Sequence, residues 1–341
     1  MLSQARLPYK NKGEKGKMKV QKKWVSFMLL LLFSFTLLVG CNEKQETAQT
    51  SGDKSGKIVI GAALPDFDDK WLSYLQDGMK EYEKTQKDVE VIYVDAMNDA
   101  SKQLSQVENF IQQKVDAIVL IPVDTVSAPE MVDKANQANI PIVVVNRIFD
   151  GVDKATAYVG SESIKAGIMQ MEEVAKLLNG KGKIAIMNGQ MGHEAQIKRT
   201  EGNKQVIKKY PDMKVVLEGT AEWDRAKGMS LMENWLQSGK KIDAVVCNND
   251  EMAIGAIMAL EDEGKLDDVI VAGVDATPDA LEYVKEGKLK VTVFQNAKGQ
   301  GQQGLEVAIK AAKGEKVEKF NWIPYELVTK DNVEEYIKKW Q

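Results

Sequence analysis

Short runs of β-branched and other apolar residues recur along the chain from residue 57 onward. Continuous apolar runs of this length are typical of parallel strands that are covered by helices on both faces of their sheet. The predicted strands are Lys57 to Leu64, Val89 to Asp95, Ala117 to Pro122, Pro141 to Asn146, Lys183 to Asn188, Lys214 to Glu218, Ala244 to Cys247, Val269 to Val274 and Lys290 to Gln295.

The segments between these runs have apolar residues at intervals of three and four, which predicts amphipathic helices. Trp71 to Lys84, Ser101 to Lys114 and Ser161 to Leu178 are examples. Alternating strands and helices predict an α/β fold, and the length favours two doubly wound parallel-sheet lobes over one sheet of nine or more strands.

The N-terminal 40 residues have the pattern of an export signal. Lys19, Lys22 and Lys23 precede an uncharged run from Trp24 to Val39, which is shorter than the roughly 20 residues that a spanning helix needs. Cys41 follows directly, so residues 1–40 look like a lipoprotein signal peptide that ends at a lipidated cysteine. Met18 is a plausible start of translation, and an ordinary signal peptide with a chance cysteine is the alternative.

Residues 41–56 are polar and predict a flexible tether that cannot bury a core. From Cys41 onward the chain has 38 basic and 49 acidic side chains, a net charge of −11. This charge argues against nucleic-acid binding, which requires a basic face. An exported protein held at the cell membrane by its lipid, facing outside the cytoplasm, is expected.

Polar and aromatic residues follow the predicted strands. Ligands of parallel α/β sheets bind beyond the carboxyl ends of the strands, so we expect these side chains to line a binding cleft. Carboxylates, amides and a guanidinium can pair with adjacent hydroxyls, and aromatic faces can cover the C–H faces of a sugar ring. The residues at these ends are Asp69, Trp71, Asn146, Arg147, His193, Arg199, Trp223, Asn249, Asp275 and Gln295.

At these positions the chain resembles the periplasmic monosaccharide-binding proteins of ABC importers, and most closely their glucose/galactose-binding members. The resemblance rests on the segments DFDDKW, VVVNR, GHEAQIKR, AEWDRAKG, NNDEMAIGA and GVDATPDAL. It implies a ligand-binding role for Asp69, Trp71, Asn146, His193, Arg199, Trp223, Asn249, Asp275 and Gln295.

Two positions depart from the glucose/galactose pattern. Ala195 replaces an acid of those proteins, and Gln295 stands where they have Asn and where ribose-binding relatives have Gln. A galactose- or glucose-like hexose remains the first expectation, with myo-inositol or ribose as alternatives. LNGKGKIA, from Leu178, replaces the calcium loop, so neither a metal nor a cofactor is expected.

The resemblance also implies the type I periplasmic binding fold, with two lobes joined by three crossings. Residues 57–161 with 297–325 would form the N-terminal lobe, and 162–296 with 326–341 the C-terminal lobe. The expected protein is a monomer that delivers its ligand to an ABC permease and its ATPase subunit. The alternative role is that of a co-receptor for a sensor or chemoreceptor. The sequence lacks a suitable acid/base pair, so an enzyme is not expected.

Several residues also have purely structural interpretations. Asn249 and Asp250 could cap a helix, and we expect Asp224 and Asp250 to be the caps, which leaves Trp223 and Asn249 for the ligand. Cys247 is expected in the core. The GxGxxG pattern of residues 299–304 lies in a late helix, where its glycines are expected to let the helix approach a neighbouring hinge strand.

Overall fold

The computed structural model describes residues 56–340. The predicted signal peptide, Cys41 and all of the tether except Gly56 lie outside the described residues. None of the helices within 56–340 is long and apolar enough to cross a membrane.

The described chain contains twelve strands and ten α-helices in alternation, which confirms the predicted α/β class. The strands are β1 Ile58–Leu64, β2 Val89–Asp95, β3 Ala117–Leu120, β4 Ile142–Val145, β5 Ala157–Gly160, β6 Lys181–Asn188, β7 Asp212–Thr220, β8 Ala244–Cys247, β9 Ile270–Ala272, β10 Thr292–Phe294, β11 Phe320–Trp322 and β12 Glu326–Val328. The helices are α1 Lys70–Glu83, α2 Ala100–Gln113, α3 Ala128–Gln137, α4 Ser163–Leu177, α5 Glu194–Ile207, α6 Arg225–Gln237, α7 Asp250–Asp262, α8 Pro278–Glu286, α9 Ala297–Ala312 and α10 Val333–Trp340.

Two parallel sheets form the centres of two lobes. The first sheet has the order β11-β5-β4-β3-β1-β2, and the second has the order β7-β6-β8-β9. Every residue of β3, β4 and β8 is buried, as continuous apolar strands between two helix layers require. The edge strand β7 is different, because most of its residues are exposed or half-buried, so the expectation of two apolar faces is wrong there.

The chain crosses between the two sheets three times: after β5, between β10 and α9, and between β11 and β12. Strands β10 and β12 pair antiparallel with each other and form a separate two-stranded sheet. The run Lys290 to Gln295 is therefore not a full member of a parallel sheet, although isolated parallel bridges join Val291 to Ala272 and Phe294 to Asp275.

Two of the three glycines in residues 299–304, Gly301 and Gly304, let α9 pack closely against the first lobe. A Cβ atom on Gly301 would lie 2.0 Å from the backbone oxygen of Leu75 in α1, and one on Gly304 would lie 2.6 Å from Val145 of β4. The expected approach to a hinge strand is thus wrong, because these glycines face α1 and the first sheet instead. Cys247 is fully buried in β8.

Candidate functional site

One cavity lies between the two lobes, at the carboxyl ends of the strands. A cleft between lobes is a common place for a small-molecule site. The structure brings all nine predicted ligand residues to this cavity, together with three others. The lining residues are Asp69, Trp71, Leu72, Asn146, Arg147, His193, Ala195, Arg199, Trp223, Asn249, Asp275 and Gln295.

The start of α1 carries two of these residues. Asp69 is the N-cap of the helix, and its Oδ1 accepts a hydrogen bond from the backbone N–H of Leu72 at 2.9 Å. Burial raises the pKa of Asp69, while this hydrogen bond and then the charge of Arg147 lower it. Trp71 is buried, and its Nε1 donates to the backbone oxygen of Gln295 at 3.4 Å. The helix N-terminus therefore fixes both a carboxylate and an indole at the cavity.

Asn146 ends β4 in the left-handed backbone region, with φ of 66°. Its backbone oxygen accepts from the Tyr158 hydroxyl at 2.8 Å, and its Nδ2 donates to Oε1 of Gln300 at 3.1 Å. Gln300 in turn donates to Oγ of Ser161 at 3.0 Å. The amide of Asn146 is thus held by residues at two of the chain's crossings, and its oxygen is left for other partners.

Arg147 also lines the cavity, although the ligand residues taken from the resemblance omit it. The side chain is buried, and Nη1 donates to the backbone oxygens of Pro122 at 2.8 Å and Val123 at 3.0 Å. Burial lowers the pKa of Arg147, and Asp69 is the strongest of the carboxylates that raise it. Its place directly after an apolar strand had already marked it in the sequence as a residue expected at the cleft.

His193 and Trp223 form a pair in the second lobe. Nε1 of Trp223 donates to Nδ1 of His193 at 3.0 Å, and the two rings stack with their centroids 5.9 Å apart. Nδ1 accepts this bond, so the proton of the neutral imidazole must be on Nε2. That buried nitrogen has no hydrogen-bond partner among the described residues, so it can donate to a ligand oxygen.

The indole of Trp223 lies directly against the backbone at the end of β6. A Cβ atom on Gly189 would lie 2.2 Å from the ring, so only glycine leaves room for the indole there. Trp223 itself has φ of 69°, a backbone conformation that is uncommon for a bulky residue. The close approach and the left-handed turn together position the ring at the cavity.

Arg199 is the most extensively bonded side chain of the site. Nη1 donates to the backbone oxygen of Asn248 at 2.6 Å, and Nη2 donates to Oε1 of Gln295 at 2.6 Å and to the Tyr325 hydroxyl at 3.2 Å. Its Nε is buried without a partner among the described residues. The guanidinium is therefore held by the second lobe and the hinge, and its Nε is free to donate to a ligand.

Asp275 lies beside Arg199, with Oδ1 3.6 Å from Nη1, and both side chains are buried. Burial raises the pKa of Asp275, and the positive charge of Arg199 opposes this shift. The backbone N–H of Gln295 donates to the backbone oxygen of Asp275 at 3.1 Å, which connects this loop to the hinge strand. A buried carboxylate beside a buried cation suits hydroxyl groups that both donate and accept.

The capping expectation is wrong for Asn249 and Asp250. Asn249 is the N-cap of α7, where its Oδ1 accepts from the backbone N–H of Met252 at 3.0 Å, and its Nδ2 donates to the backbone oxygen of Trp223 at 3.2 Å. Asp250 turns inward and accepts from the backbone N–H of Thr277 and the hydroxyl of Thr292. Asp224 does cap α6, as expected, through the backbone N–H of Lys227.

The part of the chain that the structure describes has no group of three or more His, Cys, Asp or Glu side chains that could hold a metal ion. The chemistry of the cavity is that of hydrogen bonding and ring stacking. Buried donors and acceptors converge there with indole rings from both lobes, which suits a small polar molecule with several hydroxyl groups.

Comparison with known proteins identifies the family. The periplasmic binding protein domain matches residues 60–316. A putative rhizopine-binding protein of Rhizobium meliloti is 44% identical over 284 residues, which cover 82% of this chain and 92% of the relative. The ribose import binding protein of Bacillus subtilis is 36% identical over 310 residues, covering 90% of this chain and 99% of the relative.

Among solved structures, an ABC transporter solute-binding protein from Bacillus halodurans, crystallised with bound myo-inositol, is 62% identical to this chain. The two superpose with a TM-score of 0.82 over 84% of this chain and 99% of the solved one. The chain therefore belongs to the periplasmic binding protein family, with the two-lobe type I fold, and is a binding protein rather than an enzyme.

Proposed function

We propose that the chain captures a cyclitol or monosaccharide between its lobes and delivers it to an ABC permease, and that myo-inositol is its main ligand. The observation that carries this proposal is that Trp71 and Trp223, from different lobes, line one cavity with buried carboxylate and guanidinium groups. Two indole faces and polar groups at the ring's edge are the contacts that a ring of hydroxyl groups requires.

The preference for a cyclitol has two supports. The Bacillus halodurans protein is 62% identical and holds myo-inositol, whereas the ribose import relative is 36% identical. Ala195 at the cavity wall also lacks the acid of the glucose/galactose pattern. The sequence alone places a hexose first, and these observations favour myo-inositol over it.

Unpartnered donors define what the ligand must offer. Nε2 of His193 and Nε of Arg199 are buried without partners among the described residues. A buried donor without an acceptor costs about 1 to 3 kcal/mol. A ligand hydroxyl that accepts from this donor removes the cost, which makes the free energy of binding more favourable. Myo-inositol has a hydroxyl on every ring carbon and can satisfy donors in several directions.

Thermal unfolding with a panel of polyols tests this proposal. Myo-inositol, galactose, glucose, ribose and xylitol would be added at equal concentrations, because a ligand that binds only the folded form stabilises it by about 2.7 kcal/mol at 100 times its Kd. We expect the largest rise in Tm with myo-inositol. A larger rise with galactose or glucose would replace the cyclitol with a hexose, and no rise with any polyol would overturn the proposal.

Binding should follow closure of the lobes, with residues 57–161 and 297–325 moving against residues 162–296 and 326–341. We also propose that the protein is a monomer and that Cys41 is lipidated and holds it at the outer face of the membrane. Cys41→Ser should release the protein into the medium or periplasm. Metabolic labelling with a fatty acid should mark the wild-type protein and leave the variant unlabelled.

A further inference from the structure

Trp340, at the end of α10, lies outside the cavity but contacts elements that carry ligand residues. Its Nε1 donates to the backbone oxygen of Ala276 at 2.9 Å, and its ring meets Phe294 of β10 edge-on at 6.1 Å. Ala276 directly follows Asp275. The indole is therefore anchored to the loop of the second lobe that carries the buried carboxylate of the site.

The same ring also contacts the other lobe. Its centroid is 4.7 Å from that of Tyr74 in α1, with the two planes tilted by 55°. Trp340 accordingly packs against the hydrophobic clusters of both lobes. Tyr74 lies three residues after Trp71 and five after Asp69, so the contact is made with the helix that positions these two residues.

Charges of opposite sign accompany this contact. The Lys70 ammonium, on the first lobe, lies 5.2 Å from the centroid of the Tyr74 ring. The hydroxyl of Tyr74 raises the pKa of Lys70 most, and the acids Asp279 and Glu251 of the second lobe raise it further. The aromatic contact between the lobes therefore has the Lys70 ammonium at its edge, whereas Glu251 and Asp279 pair with Arg225 of their own lobe.

We propose that Trp340 is a positioning residue that couples the two lobes and favours the closed cleft. The proposal rests on the capture of a polyol between the lobes. The ligand residues of the two lobes come together only when the lobes close. A contact that is made only in the closed form therefore raises the affinity for the ligand without touching it. The C-terminal helix would thus set the affinity of a site to which it contributes no lining residue.

Three variants test the coupling: Trp340→Ala, Trp340→Phe and Tyr74→Ala. An aromatic pair contributes enough for the alanine variants to weaken myo-inositol binding about three- to tenfold in calorimetry. Trp340→Phe keeps a ring but loses the hydrogen bond to Ala276, so its affinity should lie between those of Trp340→Ala and the wild type. The matched control is Tyr210→Ala, because Tyr210 is a half-buried ring just before β7, at the amino-terminal end of the second sheet, and it does not line the cavity, so its removal should leave the affinity unchanged.

The double variant Trp340→Ala with Tyr74→Ala separates coupling from general damage to the fold. If the two rings act together, the double variant should bind about as weakly as either single variant. If the fold loss of affinity in the double variant equals the product of the two single losses, the rings act independently, and the proposal is overturned.

Small-angle scattering of the ligand-free proteins supplies a measurement that needs no ligand. Trp340→Ala should give a larger mean radius of gyration than the wild type and the Tyr210→Ala control, because fewer molecules are closed. Equal radii together with unchanged affinity would overturn the proposal. If the wild type binds no polyol, the function proposed above fails, and the scattering comparison still decides whether Trp340 couples the lobes.

Discussion

The indole Nε1 of Trp223 donates a hydrogen bond to Nδ1 of His193 at 3.0 Å. This bond fixes the imidazole in the form that carries its proton on Nε2. It turns two residues that are 30 positions apart in sequence into one unit, with an aromatic face and a single directed donor.

Stability should fall in acid because of His193. Burial, and then the charge of Arg147, lowers the pKa of His193 from 6.5 to about 3. The unfolded chain takes up a proton at this residue below about pH 6.5 and the folded protein does not, so stability present above that pH is lost as the pH falls towards 3. At pH 5 this costs about 2 kcal/mol relative to pH 7.5.

Urea unfolding of the wild type and His193→Gln at pH 7.5 and pH 5.0 measures this effect. The glutamine variant has no titrating group at this position, so it should lose about 2 kcal/mol less on acidification. Equal losses in the two proteins would show that His193 is not held neutral.

Glu194 should produce the opposite dependence on pH. Its carboxylate accepts from the Ser163 hydroxyl at 2.8 Å, where α4 and α5 begin, and burial raises its pKa from 4.5 to about 7. The folded protein therefore binds a proton that the unfolded chain releases above about pH 4.5. The stabilisation is complete below that pH and is lost as the pH rises through 7.

Glu194→Gln removes this titration while keeping the shape of the side chain. When the pH rises from 4.5 to 8, the wild type should lose on the order of 2 to 3 kcal/mol more stability than the variant. Chemical unfolding at the two pH values gives the difference. If the difference in unfolding free energy between the two proteins is the same at both pH values, the prediction is wrong.

Asp275→Ala should weaken ligand binding by on the order of 2 kcal/mol, which is about thirtyfold. The substitution removes a buried acceptor and leaves the Arg199 guanidinium, 3.6 Å away, without its nearest carboxylate. Asp275→Asn keeps the volume and one acceptor and should lose less affinity. Calorimetry that shows less than a twofold change for the alanine variant would remove Asp275 from the site.

Asn249→Ala should lower both stability and affinity, because one side chain caps α7 and lines the cavity. Loss of an N-cap typically costs about 1 kcal/mol of stability. Asn249→Ser can still cap the helix, so it should retain most of the stability but not the amide's hydrogen bond to Trp223. Thermal unfolding and calorimetry of both variants separate the roles, and an alanine variant as stable as the wild type would contradict the cap.

The strand pattern predicted most of the fold because buried parallel strands are apolar on both faces. The pattern missed β5, β11 and β12, and most residues of β11 and β12 are exposed or half-buried, so these two strands have no continuous apolar run. It also could not show that β10 pairs antiparallel with β12, because Leu327 and Val293 are neighbours only in the folded chain. Pairing of this kind joins segments that are distant in sequence, so it depends on the folded chain.

The sequence by itself determined the α/β class, and its strand ends pointed to nine residues that line one cavity, because the carboxyl ends of parallel strands meet at one edge of a sheet. Only the tertiary structure decided which atoms are available there. Adjacent Asn249 and Asp250 are both good caps by residue type, and their roles depend on backbone angles and on Thr277 and Thr292. The interlobe position of Trp340 is likewise invisible in the sequence, because such contacts join segments whose proximity depends on the packing of the whole chain.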